Sequence, residues 1–395
     1  MKIIDVAEFY AERGGGVRTY IEQKLRAASA QGHDMLIIAP GPEDRVEARL
    51  GGRIVWIRSR PMPFDPRYYL LTRERAVHEL IEREAPDVIE GSSPWTGGVF
   101  VARYRPRAAT PAKRARKSFV FHQDPIAVYP QTLLGGWLGE GRVDGLFGPY
   151  WAYLRGLSRR FDVTVVSGYW LAERLARFGV HNPLAVPFGI DKSLFHAAQA
   201  DVGLRAELIA RCVAPPNAKL LVSVSRHHPE KRLGTLLEAV QLVAAKQPLA
   251  WVVYGDGPLS DWLARKARGL PVHLAGVTRD RAFLARVMAS ADGLLHGSAA
   301  ETYGLVVAEA LSAGLPIIVP NRGGAADLAR PAHAETYAAG DARACASAIE
   351  RLLAREHAGL RQAALHASDT LVRSQEAHFA DLFARYAALS EREPG

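Results

Sequence analysis

The stretch that decides the fold is ADGLLHGSAAETYGLVVAEALSAGLPIIVPNRGGAADL, residues 291–328. An apolar run at 293–296 predicts a short buried strand, and the small residues after it predict a turn. A helix is expected from about 303 to 312, ended by Gly314, because glycine suits a left-handed C-cap. A second apolar strand at 316–319 and the Gly323-Gly324 turn follow. Strand, turn, helix and strand in this order indicate a parallel α/β sheet.

Two glutamates frame the predicted helix. Glu301 lies at the turn that begins it, and Glu309 follows a little over two helical turns later, near the same face. A site for a sugar nucleotide needs carboxylates that accept bonds from hydroxyls, together with free N–H groups and a positive helix end for the diphosphate. From spacing alone, a helix-capping glutamate and a solvent-facing glutamate explain the pattern equally well.

The run ETYGLVVAEALSAGLPIIV, followed by GGAADL, resembles the donor-site signature of the retaining glycosyltransferases of family 4. Both glutamates, Gly304, Gly314, Pro316 and the Gly-Gly turn match that signature. Gly297 departs from it, since the family usually has Pro-Ser where this chain has Gly297-Ser298, and Tyr303 replaces a Phe. The resemblance, closest to lipid glycosyltransferases and mannosyltransferase-like members, implies the GT-B fold: two Rossmann-like α/β domains facing each other across a cleft, with a C-terminal helix crossing back to the first domain.

The chain of 395 residues is long enough for two such domains. The run PFGIDKSLF, residues 187–195, resembles the hinge of the family, so we place the boundary near Phe195. We expect an acceptor-binding domain at 1–195, a nucleotide-sugar-binding domain at 196–370, and the returning helix at 371–395. Helical spacing of apolar residues at 376–389 agrees with a packed terminal helix.

Composition indicates a soluble globular protein, with 48% hydrophobic and 23% charged residues. Two cysteines predict a reducing compartment and no disulfide framework. Asp5 and Glu8 interrupt any signal peptide at the start, and no apolar run approaches the ~18 residues of a spanning helix. We expect a cytoplasmic protein, with peripheral association at the inner membrane face.

Positive charge is concentrated in the first half. Residues 1–195 hold 28 Lys and Arg against 21 Asp and Glu, and no acidic residue lies between Glu90 and Asp124. We call residues 103–117 within this interval the basic stretch. It could face nucleic acid, anionic lipid or an anionic substrate, or be a solvated loop. The basic residues in it are Arg103, Arg105, Arg107, Lys113, Arg114, Arg116 and Lys117.

We favour an anionic membrane surface as the partner of the basic stretch, and expect no nucleic acid. Nearby apolar residues are candidates for anchoring: Tyr104, Phe119 and Phe121, and Met62, Phe64, Tyr68 and Tyr69 in a Pro-rich loop. The sequence FHQDPIAVY, residues 121–129, is similar to the segment in family members that glycosylate membrane lipids. The resemblance therefore favours a lipid or lipid-linked glycan as acceptor; a soluble or polysaccharide acceptor is the alternative.

We expect three turns, two that contain glycine and one that is basic, to contact the diphosphate and nucleotide of the donor. The glycine loop at 14–16 joins the first strand to the first helix, where parallel sheets accept phosphate, but the third glycine of a dinucleotide fingerprint is missing. Arg226 and Lys231 follow an apolar strand and can converge on a diphosphate. They match the family pattern, although Ser225, His227 and Arg232 depart from it. Gly255 belongs to a GDGP turn that resembles the family turn under the nucleotide.

His122 ends a predicted strand, where open α/β sheets place ligands, and Asp124 follows it. A lone histidine is more often structural, but the resemblance places this one beside the transferring sugar. We predict catalytic roles for His122, Glu301, Arg226 and Lys231, and acceptor binding by His122 and Asp124. The expected donor-binding residues are Gly15, Gly16, Arg226, Lys231, Gly255, Ser298, Glu301, Thr302, Tyr303, Gly304, Leu305 and Glu309.

The expected reaction is transfer of a hexose-type sugar, with retention, from a UDP- or GDP-sugar to the acceptor. No Asp-x-Asp sequence occurs, so we expect neither a metal nor another cofactor. A sugar-nucleotide epimerase on the same fold is an alternative, as is a non-catalytic binding protein. A phosphorylase is disfavoured because the chain is short for that enzyme.

Overall fold

A computed structural model describes residues 1–12, 15–63, 65–106 and 115–391, and its strands form two large sheets, one in each half of the chain. The first sheet has eight strands in the order β10-β9-β8-β7-β1-β2-β4-β3, and β5 and β6 form a separate small pair. The strands are β1 (Lys2–Val6), β2 (Asp34–Gly41), β3 (Arg45–Arg49), β4 (Gly52–Arg58), β5 (Arg60–Pro61), β6 (Tyr69–Leu70), β7 (Val88–Gly91), β8 (Arg116–Val120), β9 (Val163–Val166) and β10 (Pro183–Ala185).

All neighbouring strands of the first sheet are parallel except β3 and β4, which form an antiparallel edge. The central strands are apolar on both faces because helices cover the sheet on both sides. The helices of this half are α1 (Gly16–Ala30), α2 (Glu74–Glu84), α3 (Thr96–Arg103), α4 (Pro125–Val128), α5 (Pro130–Leu138), α6 (Glu140–Leu146), α7 (Gly148–Ser158) and α8 (Tyr169–Arg177).

The second sheet has six parallel strands in the order β14-β13-β12-β15-β16-β17. Its strands and two short neighbours are β11 (Gly189–Ile190), β12 (Lys219–Val224), β13 (Leu249–Tyr254), β14 (Val272–Gly276), β15 (Gly293–Leu295), β16 (Ile317–Pro320), β17 (Ala334–Tyr337) and β18 (Arg373–Ser374). Its helices are α9 (Val202–Arg211), α10 (Leu233–Ala244), α11 (Ser260–Lys266), α12 (Arg281–Ser290), α13 (Leu305–Ser312), α14 (Gly324–Asp327), α15 (Ala342–Ala354), α16 (His357–Leu371) and α17 (Gln375–Glu391).

The strand-turn-helix-strand unit of residues 291–328 is present as β15, α13 and β16. The helix begins at Leu305, two residues later than expected, because Gly304 adopts a left-handed conformation with φ of 91°. The sequence did not predict α3–α6, α9, α11, α12 or α16. In α5 and α6 the reason is visible in the sequence: glycines interrupt PQTLLGGWL and EGRVDGL, and neither segment has a sustained helical apolar period.

The two sheets lie on either side of residue 195, since β10 ends at Ala185 and β12 begins at Lys219. Strands β11 and β18 run side by side where the chain leaves the first half and returns to it. Helix α17 then packs on the first half, as expected, with Phe379, Leu382 and Phe383 in the core formed by β1, β2 and α1.

Part of the basic stretch is paired within the protein. Arg103 lies 3.3 Å from Glu74, Arg116 lies 3.6 Å from Asp162, and Lys117 donates to the carbonyl oxygens of Ala102 and Tyr104. Residues 107–114, which include three basic residues of the basic stretch, lie outside the described residues. Phe64 of the Pro-rich loop also lies outside them.

The expected anchoring role of three aromatic residues near the basic stretch was wrong. Tyr104, Phe119 and Phe121 are buried in the core. Phe119 lies on β8, a central strand of the first sheet, Phe121 follows that strand, and Tyr104 follows α3.

A buried polar cluster attaches α17 to the first sheet. Lys24 of α1 forms ion pairs with Asp5 and Glu90 at the ends of two neighbouring strands. The Tyr386 hydroxyl donates to Glu90 and lies 3.1 Å from the Ser118 hydroxyl. Burial raises the pKa of Glu90 to about 7, although Lys24 opposes the shift. Each polar group in this cluster therefore needs its partners, because water cannot replace them.

We expect Tyr386→Phe to lower the free energy of unfolding by about 1–3 kcal/mol, because a buried acceptor loses a donor while the ring still fills its site. Denaturant unfolding measures this change. Tyr129→Phe is the matched control: Tyr129 is exposed, and its loss of a hydroxyl should change stability by less than about 0.5 kcal/mol. Equal stabilities of the two variants would contradict the structural role of the Tyr386 hydroxyl.

Candidate active site

The loop that follows β15 meets the turn that follows β12. These strands are parallel neighbours, so their carboxyl ends lie at the same edge of the sheet. Lys231, in the 3-10 turn Pro229–Lys231, forms an ion pair with Glu301 in the loop. The Glu301 carbonyl also accepts a hydrogen bond of 2.6 Å from the Gly324 N–H. The loop is therefore held by its side chain and by its backbone.

Close backbone approaches explain two of the glycines at this edge. A Cβ on Gly324 would lie 2.5 Å from the Thr302 carbonyl carbon and from the Tyr303 nitrogen. A Cβ on Gly255 would lie 1.8 Å from the Ser225 carbonyl oxygen, and the φ of Gly255 is +133°. Both turns thus require the absence of a side chain.

Glu301 is ionised in this environment. Burial alone would raise the pKa of its carboxyl, but Lys231 and the more distant Arg226 hold it below its ordinary value. His296 ends β15, and its Nε2 lies 3.8 Å from a Glu301 oxygen. Burial lowers the pKa of His296 to about 4, so the imidazole is neutral at neutral pH. The site therefore contains one cation, one carboxylate and one neutral imidazole in close proximity.

Glu309 lies on α13, is only 6% exposed, and forms an ion pair with Arg281 at the start of α12. Burial raises the pKa of Glu309, and Arg281 opposes the shift. The two glutamates of the signature thus have separate cationic partners, Lys231 for Glu301 and Arg281 for Glu309. This separation would allow each carboxylate to bind a different part of a ligand.

Arg226 is exposed and pairs with a neighbouring glutamate. Its side chain is 69% exposed and lies 3.5 Å from Glu230, which is buried. Ser298 is buried within the loop, where its hydroxyl accepts from the Ala300 N–H at 3.3 Å. Leu305 is partly exposed at the start of α13, and Gly15 and Gly16 are exposed at the start of α1.

His122 joins the two halves of the chain through its backbone. The Thr302 hydroxyl donates to the His122 carbonyl oxygen at 2.9 Å. Both ring nitrogens of His122 are buried and have no hydrogen-bond partner in the part of the chain that the structure describes. Burial lowers the pKa of His122 to about 3, with His378 and Lys24 adding to the shift. The ring is thus a neutral group with unused hydrogen-bonding capacity.

Asp124 is completely buried and caps α4, where one carboxyl oxygen accepts from the N–H groups of Ile126 and Ala127. Its other oxygen pairs with Arg174. Tyr303 is also buried, with its ring 6.0 Å from that of Phe188. These residues hold the walls of the cleft in place.

A cavity of about 240 Å³ lies between the halves next to this loop. Gln131, Thr132 and Glu140 line it from the first half, and Arg232, Ala300 and Arg322 line it from the second. Glu140 and Arg322 form an ion pair. The cavity is therefore polar, charged and contiguous with the loop that carries Glu301.

Two family models match the chain, "Glycosyltransferase Family 4" over residues 14–194 and "Glycosyl transferases group 1" over residues 218–355. Together they cover both sheets and the loop with both signature glutamates. The chain belongs to family 4 of the glycosyltransferases.

Two curated relatives are similar to this family 4 glycosyltransferase over most of their length. One is a GDP-mannose-dependent alpha-(1-6)-phosphatidylinositol dimannoside mannosyltransferase of Mycobacterium tuberculosis, 28% identical over 81% of this chain and 79% of the relative. The other is a GDP-mannose-dependent alpha-mannosyltransferase of the same species, 28% identical over 84% of this chain and 82% of the relative.

The structure of sucrose-phosphate synthase from Thermosynechococcus elongatus superposes with a TM-score of 0.73 at 19% identity, covering 98% of both chains. This likeness shows the fold: the glycosyltransferase has the expected GT-B architecture.

Sequence reasoning missed two side chains that lie beside the signature glutamates of this glycosyltransferase, His296 and Arg281. His296 ends a buried strand, which is the same signal that identified His122, and could have been found in that way. Arg281 lies in the run TRDRAF, and nothing local distinguishes it from a surface arginine. Only the packing of α12 against α13 brings it to Glu309.

Within the described ranges, no group of three or more His, Cys, Asp and Glu side chains is arranged to hold a metal ion. A search of the same residues finds no helix with the length and apolar character to cross a membrane.

We expect Gly324→Ala to lower the free energy of unfolding by about 1–3 kcal/mol, because its Cβ would displace the Thr302–Tyr303 backbone. Urea unfolding measures the change. Gly156→Ala is the matched control, since Gly156 lies within α7 with open space around its Cβ position, and alanine should stabilise that helix by about 0.5–1 kcal/mol. If Gly324→Ala were as stable as the control, the close approach of loop and turn would be wrong.

Proposed function

We propose that this glycosyltransferase moves mannose, with retention of configuration, from GDP-mannose to a lipid or lipid-linked acceptor. The observation that carries the proposal is the Lys231–Glu301 pair, held next to α13 and the second glutamate, Glu309. Relatives named as GDP-mannose-dependent enzymes, one of them acting on a phosphatidylinositol dimannoside, support this donor over a UDP-sugar and this class of acceptor. The donor would bind to residues 196–370 and the acceptor to residues 1–195.

The leaving diphosphate would be stabilised by fixed charges and dipoles. Lys231 is positioned by Glu301, and the exposed Arg226 can turn toward a bound anion. N–H groups at the starts of α1 and α13, near Gly16 and Gly304, would add their dipoles. Such preorganised groups supply the stabilisation that a metal ion supplies in other enzymes, so we infer a metal-independent reaction.

The two glutamates would bind different parts of the donor. Glu301 is ionised and only partly exposed, so it can accept hydrogen bonds from hydroxyls of the transferred sugar. Glu309 would accept hydrogen bonds from the ribose diol, with Arg281 keeping its buried carboxylate charged. A donor hydroxyl and the cation can share the oxygens of one carboxylate, so each glutamate would keep its ion pair when the donor is bound.

His122 would contact the transferred sugar. Its neutral ring has two buried nitrogens without a partner among the described residues, and a sugar hydroxyl can satisfy one of them. Asp124 would act on the acceptor side by holding α4 and the cleft wall, because its carboxyl oxygens are already engaged. The family resemblance implies that the acceptor attacks the sugar on the same face from which the diphosphate departs. This substitution needs no protein nucleophile.

We expect Glu309→Gln to weaken binding of GDP-mannose by about 1.5–3 kcal/mol, or roughly ten- to a hundredfold in Kd, because a charge-assisted bond to the ribose is lost. Calorimetric titration measures this. Glu335→Gln is the control, since Glu335 is also paired with arginines in the second half, but on β17. Unchanged affinity in Glu309→Gln would remove Glu309 from the donor site.

Transfer from labelled GDP-mannose to detergent-solubilised phosphatidylinositol mannosides tests the proposed function directly. We expect a lipid-linked product whose new bond is α, as in the donor. UDP-glucose and a soluble polysaccharide serve as the alternative donor and acceptor. Product with only the polysaccharide, or with inverted configuration, would contradict the proposal, and an epimerised sugar nucleotide without transfer would indicate the epimerase activity.

The same assay in excess chelator tests metal independence, and activity should remain. Loss of activity that Mn²⁺ or Mg²⁺ restores would show that a cation neutralises the diphosphate in addition to Lys231 and Arg226.

A further inference from the structure

Helix α5 carries large apolar side chains on its outer surface. Tyr129, at its N-cap, is 59% exposed, Leu133 is 71% exposed and Trp137 is 84% exposed. Leu134 is exposed beside them. We call these four residues the apolar patch. Side chains of this size are normally buried, and a cluster of them on one short helix marks an interaction surface.

The spacing of the patch residues places three of them on one side of α5. Tyr129, Leu133 and Trp137 are four residues apart, so they form one stripe along the helix. Gln131, between them in sequence, is buried and donates to Asp144 of α6 at 2.9 Å. Gln131 and Thr132 also line the cavity between the two halves. One side of α5 is therefore a wall of the cavity, and another side presents the stripe to the surroundings.

The acidic residues of the neighbouring helix are neutralised. Glu140 at the start of α6 pairs with Arg322, and Asp144 pairs with Arg174. Arg142, between them, is exposed. Both carboxylates of α6 are thus paired, so neither would repel an anionic surface that approached the patch. The first half of the chain also has an excess of positive charge.

We propose that the apolar patch inserts into the membrane leaflet that contains the acceptor. Tyrosine and tryptophan partition to the boundary between headgroups and acyl chains, and leucine enters the acyl region, so this stripe matches a leaflet better than it matches water. With the patch inserted, the cavity behind α5 faces the headgroup of a lipid in the same leaflet. The proposal rests on the lipid acceptor of the proposed function, and it assigns the membrane contact to α5 in place of the basic stretch.

Vesicle sedimentation with the full-length chain tests the patch. The parent, the double variant Leu133→Ser/Trp137→Ser and the control Val202→Ser/Val213→Ser are compared on phosphatidylcholine vesicles with and without phosphatidylinositol. Both control residues are strongly exposed valines of the second half. We expect the parent and the control to bind, and the double variant to partition at least about tenfold more weakly. Binding of the parent should persist at high salt, because apolar insertion is not screened.

Quenching by lipids brominated along their acyl chains gives an independent measurement. Vesicles of these lipids should quench part of the parent's tryptophan fluorescence, and Trp137→Phe should lose that part. Unchanged quenching in Trp137→Phe, or equal sedimentation of parent and double variant, would overturn the proposal. So would a change in oligomeric state in the double variant, since the patch would then be an interface between copies of this chain.

The transfer assay in detergent separates this proposal from the proposed function. The patch lies outside the donor loop, so the double variant should keep the parent's affinity for GDP-mannose and its melting temperature. A parent that transfers to the lipid in detergent but does not bind vesicles would refute the patch and leave the function intact. A parent that binds through the patch but transfers only to a soluble acceptor would refute the lipid acceptor and support the patch.

Discussion

The position of the loop after β15 is the constraint on which the site depends. Its Glu301 carbonyl accepts from the Gly324 N–H, its Glu301 side chain pairs with Lys231, and the adjacent Thr302 hydroxyl donates to the His122 carbonyl. Three segments distant in sequence are therefore joined through two consecutive residues. Gly324 permits the backbone contact with Glu301, because any side chain there would collide with the loop backbone.

The same loop determines how charge is distributed in the cleft. Lys231 keeps the partly exposed Glu301 ionised, whereas Glu309 is buried and depends on Arg281. Two histidines, His122 and His296, are neutral because burial lowers their pKa values to about 3 and about 4. The cleft thus has separate carboxylates, each with its own cation, and neutral imidazoles between the halves. This arrangement suits the binding of a diphosphate and several hydroxyls at one site.

The relation between the halves depends on two groups of contacts, one made by the C-terminal helix and one beside the cleft. Helix α17 returns to the first sheet, where Tyr386 completes a buried cluster with Glu90 and Ser118. Near the cleft, Trp170 donates its backbone N–H to Asp327 at 2.8 Å, and Glu140 pairs with Arg322. Because α5 and α6 lie next to these contacts, the outward stripe of α5 and the cavity behind it have a defined relation to the donor loop.

The sequence by itself determined the alternation of strands and helices, the two α/β halves and the returning helix. It also placed Glu301, Lys231 and His122 in segments that follow strands, and Glu309 within a helix. These are properties of local pattern, since apolar runs, glycines and strand ends can be read over a few residues. Sequence did not reveal the short helices α5 and α6, whose glycines weaken the helical period.

Tertiary structure alone decided the partners of these residues. It placed Arg281 beside Glu309, committed Asp124 to α4 and Arg174, buried Phe119 and Phe121, and exposed Trp137. A local pattern shows that a side chain is charged or apolar, but not which distant element will cover it. That depends on the packing of whole helices and sheets, which brings together residues far apart in the chain.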